Sequence, residues 1–372
     1  MENMMREELE KAKKNRNFRT LKTYSRDMIN FSSNDYLNLS DDLELKKNFF
    51  NFYNNLSFSS GSSRLITGSY SLIMQLEERL NSIYNKEALQ FNSGFDANSC
   101  LIETLFNKNS LIISDKLNHS SIYSGIVASG AKLLRYKHLN VNHLESLLLK
   151  YSNDFKNILV ITETIFSMDG DCCNLKEIIE LKNKYSFKLM VDEAHTYGVY
   201  GYGLAYSLKL LPSIDYLSIP LGKGGASIGA YLLTDSITKE YIINKGKKFI
   251  YTTALPPINT AWNIFILENM ENFYEKIVSF KSLIDFTINY MSELKIKTES
   301  NSHIISILFK DNLKVDRVVS NLIKKNYIVH GIKEPTVPIG TSRIRVSLNL
   351  GLTKENIRCF LEDLNNEINN IF

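Results

Sequence analysis

The chain has 372 residues, 44% hydrophobic and 23% charged, enough for more than one core and ordinary for a globular protein, so a disordered chain is excluded. A net charge of +4 is small for this length, and the basic cluster at Lys11, Lys13 and Lys14 reads as a solvated helix face, so nucleic acid is not implied. The four cysteines, Cys100, Cys172, Cys173 and Cys359, have no paired CxxC spacing and no histidine cluster beside them, which points to a reducing cytoplasm and to neither a disulfide framework nor a metal.

The N-terminus, MENMMREELEKAKKNRNFRTLK, predicts a charged helix without the apolar core of a signal peptide, and no stretch reaches the length of a membrane span. FNSGFDAN (91–98) follows the short run EALQ and precedes a segment with helical spacing. A strand–glycine–helix junction offers free backbone N–H groups at the positive end of a helix dipole, which suits a phosphate; a left-handed turn at Gly94 is the alternative. The run SLIISD predicts a strand followed by His119 in LNHSS, and NILVITET predicts another followed by Ser167, Asp169 and Asp171 in FSMDGD. After the helix-like LKEIIELKNKY, the run KLMVDEAH ends in Asp192, Glu193 and His195. DYLSIPL then leads to LGKGGASIGAYLL, where Lys223 stands among small residues ahead of an apolar, strand-like stretch. Short apolar runs alternating with helical stretches predict a mostly parallel sheet covered by helices, with ligands outside the carboxyl ends of its strands. From about Glu271 the pattern changes: HIISILF, DRVVSNLIKKN and RIRVSLNL predict a smaller α+β domain. The expected division is 1–37 as an N-terminal helical segment, 38–267 as a large α/β domain and 268–372 as a small C-terminal domain.

DEAH also occurs in nucleotide-hydrolysing helicases, but no G-x-x-x-x-G-K-[ST] loop exists anywhere in the chain, so an ATPase is excluded. The strand ends offer an anion cradle at Gly94 and Phe95, a carboxylate at Asp192, imidazoles at His119 and His195, and an amine at Lys223. Pyridoxal 5'-phosphate would use all of them: its phosphate needs N–H donors, its ring nitrogen a carboxylate, its aldehyde an amine, its phenolic oxygen a donor and its flat face a stacked ring. The small neighbours of Lys223 are expected to make room for it.

Nine ordered segments, FSSNDYLNLS, SGSSRLITGSY, FNSGFDAN, DKLNHSSI, TETIFSMDGD, VDEAHTYGVYG, LGKGGASIGA, IYTTALPP and PTVPIGTSRIR, cover nearly the whole chain and resemble the α-oxoamine synthases. The resemblance implies a fold type I transferase, with a mostly parallel seven-stranded sheet between helices and a smaller C-terminal α+β domain. It implies that Lys223 bonds the cofactor aldehyde and later moves the α-proton. Asp192 would pair with the pyridinium nitrogen, His195 with the phenolic oxygen, and His119 would stack on the ring. Gly94 and Phe95 would offer backbone donors, Ser167 would lie beside the cofactor, and Thr252 or Thr253 would reach the phosphate of a partner in a homodimer. Arg345 would clamp the amino-acid carboxylate, with Asn34, Thr336 and Arg19 as further substrate contacts. The motifs favour the branch that joins L-alanine to a pimeloyl thioester of coenzyme A or acyl carrier protein; branches making aminolevulinate, aminoketobutyrate or sphingoid ketones are the alternatives. One departure stands out: the family's phosphate-binding Thr or Ser three residues before the lysine is Pro220 here, with neither hydroxyl nor N–H. That departure also motivates a competing class, a subunit that keeps the fold without catalysis.

Overall fold

The computed structural model describes residues 1–334 and 336–371. Its contacts group the chain into two compact units, Leu37–Phe166 with Cys172–Ile277, and Met1–Tyr36 with Ser167–Asp171 and Val278–Phe372. The segments 1–37 and 268–372, expected to be separate, thus contribute most of one unit between them.

In the first unit the apolar runs become strands because side chains on both faces leave water. The strands in chain order are β1 (Glu87–Phe91), β2 (Ser110–Asp115), β3 (Lys132–Tyr136), β4 (Asn157–Glu163), β5 (Lys188–Asp192), β6 (Tyr216–Pro220) and β7 (Ala230–Thr234). They form one seven-stranded sheet in the order β1-β7-β6-β5-β4-β2-β3. All pairings from β6 through β3 are parallel, and only β7 runs antiparallel to both its neighbours. All six residues of β2 are buried, as a strand covered on both faces requires. Helix α1 (Gly94–Leu105) and helix α2 (Ser120–Ser129) pack on one face, where Cys100, Leu101, Ile102 and Ile122 meet Ile112, Leu159, Met190 and Leu232 in a continuous core. Each fully buried Leu or Ile there contributes roughly 1.5–3 kcal/mol.

Register decides what the sheet's carboxyl edge presents. Glu163 lies opposite Asp192 across β4 and β5, and Asp192 opposite Ser218 across β5 and β6, so three polar side chains occupy one row. Pro220 closes β6 two residues past the last β5 pairing, opposite Ala230 of β7.

The second unit holds a three-stranded antiparallel sheet in the order His330–Ile332, Arg343–Ser347, Ile304–Leu308. The amphipathic helices Asn312–Lys324 and Lys354–Asn369 belong to this unit. Ile29–Asn30 pairs in parallel with Tyr327–Ile328, tying the segment after the N-terminal helix Glu2–Lys14 to the C-terminal part of the chain. Segment Ser167–Asp171 joins this unit through the Asp169–Arg343 ion pair and through Ser302, whose hydroxyl donates to the Gly170 carbonyl at 2.6 Å. Among the described residues no helix is long and apolar enough to cross a membrane.

Candidate active site

Asp192 ends β5 and is 3% exposed. Burying a carboxylate is costly unless hydrogen bonds replace its water, and two neutral donors do so: Asn98 Nδ2 at 2.6 Å and the Ala194 backbone N–H at 2.8 Å. Neither donor is a cation, so the carboxylate retains the capacity to pair with a positively charged ligand atom. Glu163, next to it in register, is also buried, and burial followed by the Asp192 charge raises its pKa well above the ordinary carboxylate range. Burial and a like charge alongside both favour the neutral form of the Glu163 carboxyl. Glu163 Oε1 accepts the His119 backbone N–H at 2.5 Å.

His119 caps α2, its Nδ1 edge engaged with the Ser121 hydroxyl at 2.8 Å while the residue as a whole remains exposed. The protein on one side of the ring lowers its pKa by desolvation; Asp192 opposes this and Lys223 adds to it. The result is a neutral imidazole with an accessible ring, suited to stacking. His195 sits just beyond β5 and is 2% exposed.

Lys223 follows β6 in a turn in which the Ala226 N–H donates to the Lys223 carbonyl at 2.8 Å, and its side chain is half-buried. The glycine after it is required by the chain itself. A Cβ on Gly224 would meet the Tyr197 carbonyl oxygen at 2.0 Å. The expectation that the small neighbours of Lys223 clear space for a ligand is corrected at this position: the space is filled by the loop that carries His195.

Gly94 is the first residue of α1, capped by Ser93, whose hydroxyl accepts the Asp96 N–H at 3.1 Å. It is absent from the positive-φ positions, so the left-handed-turn alternative is ruled out and the junction is a helix N-terminus. A Cβ on Gly94 would lie 2.5 Å from Pro220 Cγ, so the proline ring occupies the space that the glycine leaves. Phe95, next in the helix, is exposed. Of the hydroxyls near Pro220, Ser227 is committed to Asn263 Oδ1 at 2.5 Å, whereas Ser218 Oγ is buried without a hydrogen-bond partner. Thr252 and Thr253 lie beside this end of the site, both held by the Asn92 side-chain amide, at 3.0 Å to Thr252 Oγ1 and 2.7 Å to the Thr253 carbonyl.

The remaining expected residues, Arg19, Asn34, Ser167, Thr336 and Arg345, fall in the other unit. Arg345 is 9% exposed and donates from Nε to the Ser167 carbonyl at 2.5 Å, from one terminal nitrogen to Ser347 Oγ at 2.6 Å and from the other to Asn34 Oδ1 at 3.2 Å. All three acceptors are neutral. Arg343, two residues earlier in the same strand, is instead paired with Asp169. The SRIR motif thus holds one arginine with a structural carboxylate and one whose charge is left for a visiting anion. Close to it is the buried His303, whose two ring nitrogens have no hydrogen-bond partner among the described residues; burial, and then the Arg345 charge, lower its pKa to about 3, so this imidazole is neutral. Arg19 and Thr336 are exposed and bond each other at 3.0 Å. Pro335, which opens the PTVP motif, lies outside the described residues.

Sequence reasoning overlooked Asn98, Ser121 and Glu163, although each lies in a segment it had singled out. Asn98 stands four residues after Gly94, one helical turn on and on the same face, which was a readable signal. Nothing in the sequence marked Glu163, because its role depends on register with Asp192.

The family model for aminotransferase class I and II matches residues 26–364. A putative 8-amino-7-oxononanoate synthase of Glaesserella parasuis is 39% identical over 339 residues, 89% of each chain. The 8-amino-7-oxononanoate synthase of Haemophilus ducreyi is 39% identical over 347 residues, again 89% of each. Among solved structures, 8-amino-7-oxononanoate synthase from Francisella tularensis superposes with a TM-score of 0.79 at 30% identity, covering 93% of this chain and 99% of that one. A serine palmitoyltransferase from S. paucimobilis reaches a TM-score of 0.86 at 23% identity over 92% of this chain and 88% of that one, a likeness of fold. The chain belongs to the class I and II aminotransferase family and, by identity over nearly its whole length, groups there with the 8-amino-7-oxononanoate synthases.

Proposed function

We propose that this protein condenses L-alanine with a pimeloyl thioester, releasing 8-amino-7-oxononanoate, carbon dioxide and the free thiol, and that it does so with pyridoxal 5'-phosphate. The observation that carries the reading is the buried Asp192 carboxylate, hydrogen-bonded by the neutral donors Asn98 and Ala194 and directly opposite Ser218, whose buried hydroxyl has no hydrogen-bond partner among the described residues. Those groups, with the helix N-terminus at Gly94, fit the cofactor's ring nitrogen and phosphate. When bound, the cofactor supplies an electron sink for the electron pair left on carbon, first by loss of a proton and later by loss of carbon dioxide.

The chain's own residues do the rest. Lys223 Nζ would hold the cofactor through its aldehyde and would serve as the base that takes the α-proton of the amino acid and returns one to carbon at the end. Asp192 would pair with the ring nitrogen and favour its protonated form, because a buried carboxylate favours a cation beside it. His195 would donate to the phenolic oxygen, and His119, neutral, would lie against the ring face. The N–H groups of Gly94 and Phe95, at the start of α1, would hold the phosphate. Arg345, with Asn34 beside it, grips the alanine carboxylate through a fork that lysine cannot reproduce. Ser167, Thr336 and Arg19 complete the substrate contacts. We further infer a cytoplasmic homodimer in which Thr252 or Thr253 reaches the partner's phosphate. Coenzyme A and acyl carrier protein are both candidate acyl carriers.

Borohydride reduction of the holoprotein followed by peptide mass spectrometry is expected to find the cofactor on Lys223. Incubating alanine, glycine or serine with pimeloyl, succinyl, acetyl or palmitoyl thioesters is expected to give most product from alanine and the pimeloyl chain. A preference for serine with palmitoyl, or for glycine with a short chain, would move the protein to another branch. A chain that stays colourless when given the cofactor would make it a non-catalytic relative.

A further inference from the structure

The two groups that would face the cofactor ring from opposite requirements, the Asp192 acid and the His119 imidazole, are joined by side chains with no role assigned above. The Asn98 amide nitrogen carries two hydrogens, one directed at Asp192 Oδ2 at 2.6 Å and the other at Ser121 Oγ at 3.0 Å. Having accepted there, the Ser121 hydroxyl directs its own hydrogen to His119 Nδ1 at 2.8 Å, and the Ser121 backbone N–H points at the same nitrogen from 3.3 Å. The order of donors has one consistent solution. Turning the amide over would set its oxygen against a carboxylate oxygen, so the acid fixes the amide, the amide fixes the hydroxyl, and the hydroxyl makes Nδ1 an acceptor. The proton of the neutral ring is then on Nε2. Asn98 and Ser121 are 1% and 0% exposed, so water does not offer either residue an alternative partner. Asn98 Oδ1 is buried with no hydrogen-bond partner, a cost the fold accepts while both amide hydrogens are committed.

We propose that Asn98 and Ser121 are positioning residues that tie the Asp192 carboxylate to the His119 ring, holding the acid in one rotamer and the imidazole in one tautomer. The inference rests on the proposed function for its purpose, though not for its geometry. Asn98 acts on both groups. Ser121 acts on the imidazole alone.

The test uses the full chain with ¹⁵N-labelled histidine, first without cofactor and then titrated with pyridoxal 5'-phosphate. In the wild type, the His119 spectrum should show the Nε2–H tautomer with a hydrogen-bonded Nδ1. In Ser121→Ala, the Nδ1 signal should move toward that of an unbonded ring nitrogen, with cofactor affinity within about threefold of wild type. Asn98→Ala should move the same signal and also weaken cofactor binding about 10- to 100-fold, the loss expected for one charge-assisted bond. A merely structural role would not separate the two readouts in this way. An unchanged His119 spectrum in both variants, or Asn98→Ala binding the cofactor as tightly as wild type, would overturn the proposal. If circular dichroism shows Asn98→Ala unfolded, the Ser121→Ala spectrum decides alone by the same criterion. A wild type that binds no cofactor would sink the proposed function while leaving the imidazole measurement decisive.

Discussion

Glu193, between Asp192 and the buried His195, couples folding to pH through one side chain. Its Oε1 accepts the Ala205 N–H at 2.7 Å, but Oε2 is buried without a partner, and burial pushes the pKa up to about 8. In the unfolded chain the group ionises near 4.5. Between these values the folded state binds a proton that the unfolded state does not, so stability is full below about pH 4.5 and falls as pH rises toward about 8. Glu193→Gln keeps the shape and removes the ionisation. Its melting temperature is therefore expected to exceed wild type by roughly 2–5 °C at pH 8 and to match it near pH 5, read by calorimetry across the range. Equal pH slopes for the two proteins would show that Glu193 is already ionised in the fold. The sequence displayed the acids of VDEAH but not their division of labour. Asp192 faces Asn98 and Glu193 faces the Ala205 N–H, and only the fold separates adjacent residues in this way.

At the scale of elements, the end of β6 and the start of α1 form one structure. The Pro220 ring sits where a Cβ of residue 94 would be, so the departure from the family pattern and the glycine that tolerates it are coupled. Restoring a hydroxyl by Pro220→Thr places an acceptor and donor at the helix N-terminus, and cofactor affinity is expected to rise about tenfold by fluorescence titration, the lower end for a charge-assisted bond. No gain would mean that Ser218 or the threonines after Tyr251 already satisfy the phosphate. Gly94→Ala, in contrast, drives a Cβ to 2.5 Å from the proline ring, so it should lower both the melting temperature and cofactor affinity, and Pro220→Ala in the same chain should recover part of the loss. Strand positions were readable because apolar runs such as LIISD are buried on both faces. The antiparallel β7 was less so: a fully buried strand has no alternation to reveal its direction.

For the whole molecule, the first unit leaves several large apolar side chains in water, among them Leu65, Ile66, Phe95, Tyr123, Val127 and Tyr251. The inferred homodimer would take such side chains out of water. Light scattering is expected to give twice the 42.7 kDa chain mass, and Ile66→Asp with Tyr251→Asp to halve it; a monomeric wild type would remove that part of the proposal. The sequence by itself determined the parallel α/β core and the residue types a pyridine-ring cofactor needs, because these depend on apolar runs, local spacing and chemistry carried within single segments. The tertiary structure alone decided which acid keeps its proton, which arginine of SRIR is left without a carboxylate, and that Asn98 and Ser121 join His119 to Asp192. Those properties arise from burial and tertiary packing, which bring together groups that lie 23 to 311 residues apart along the chain.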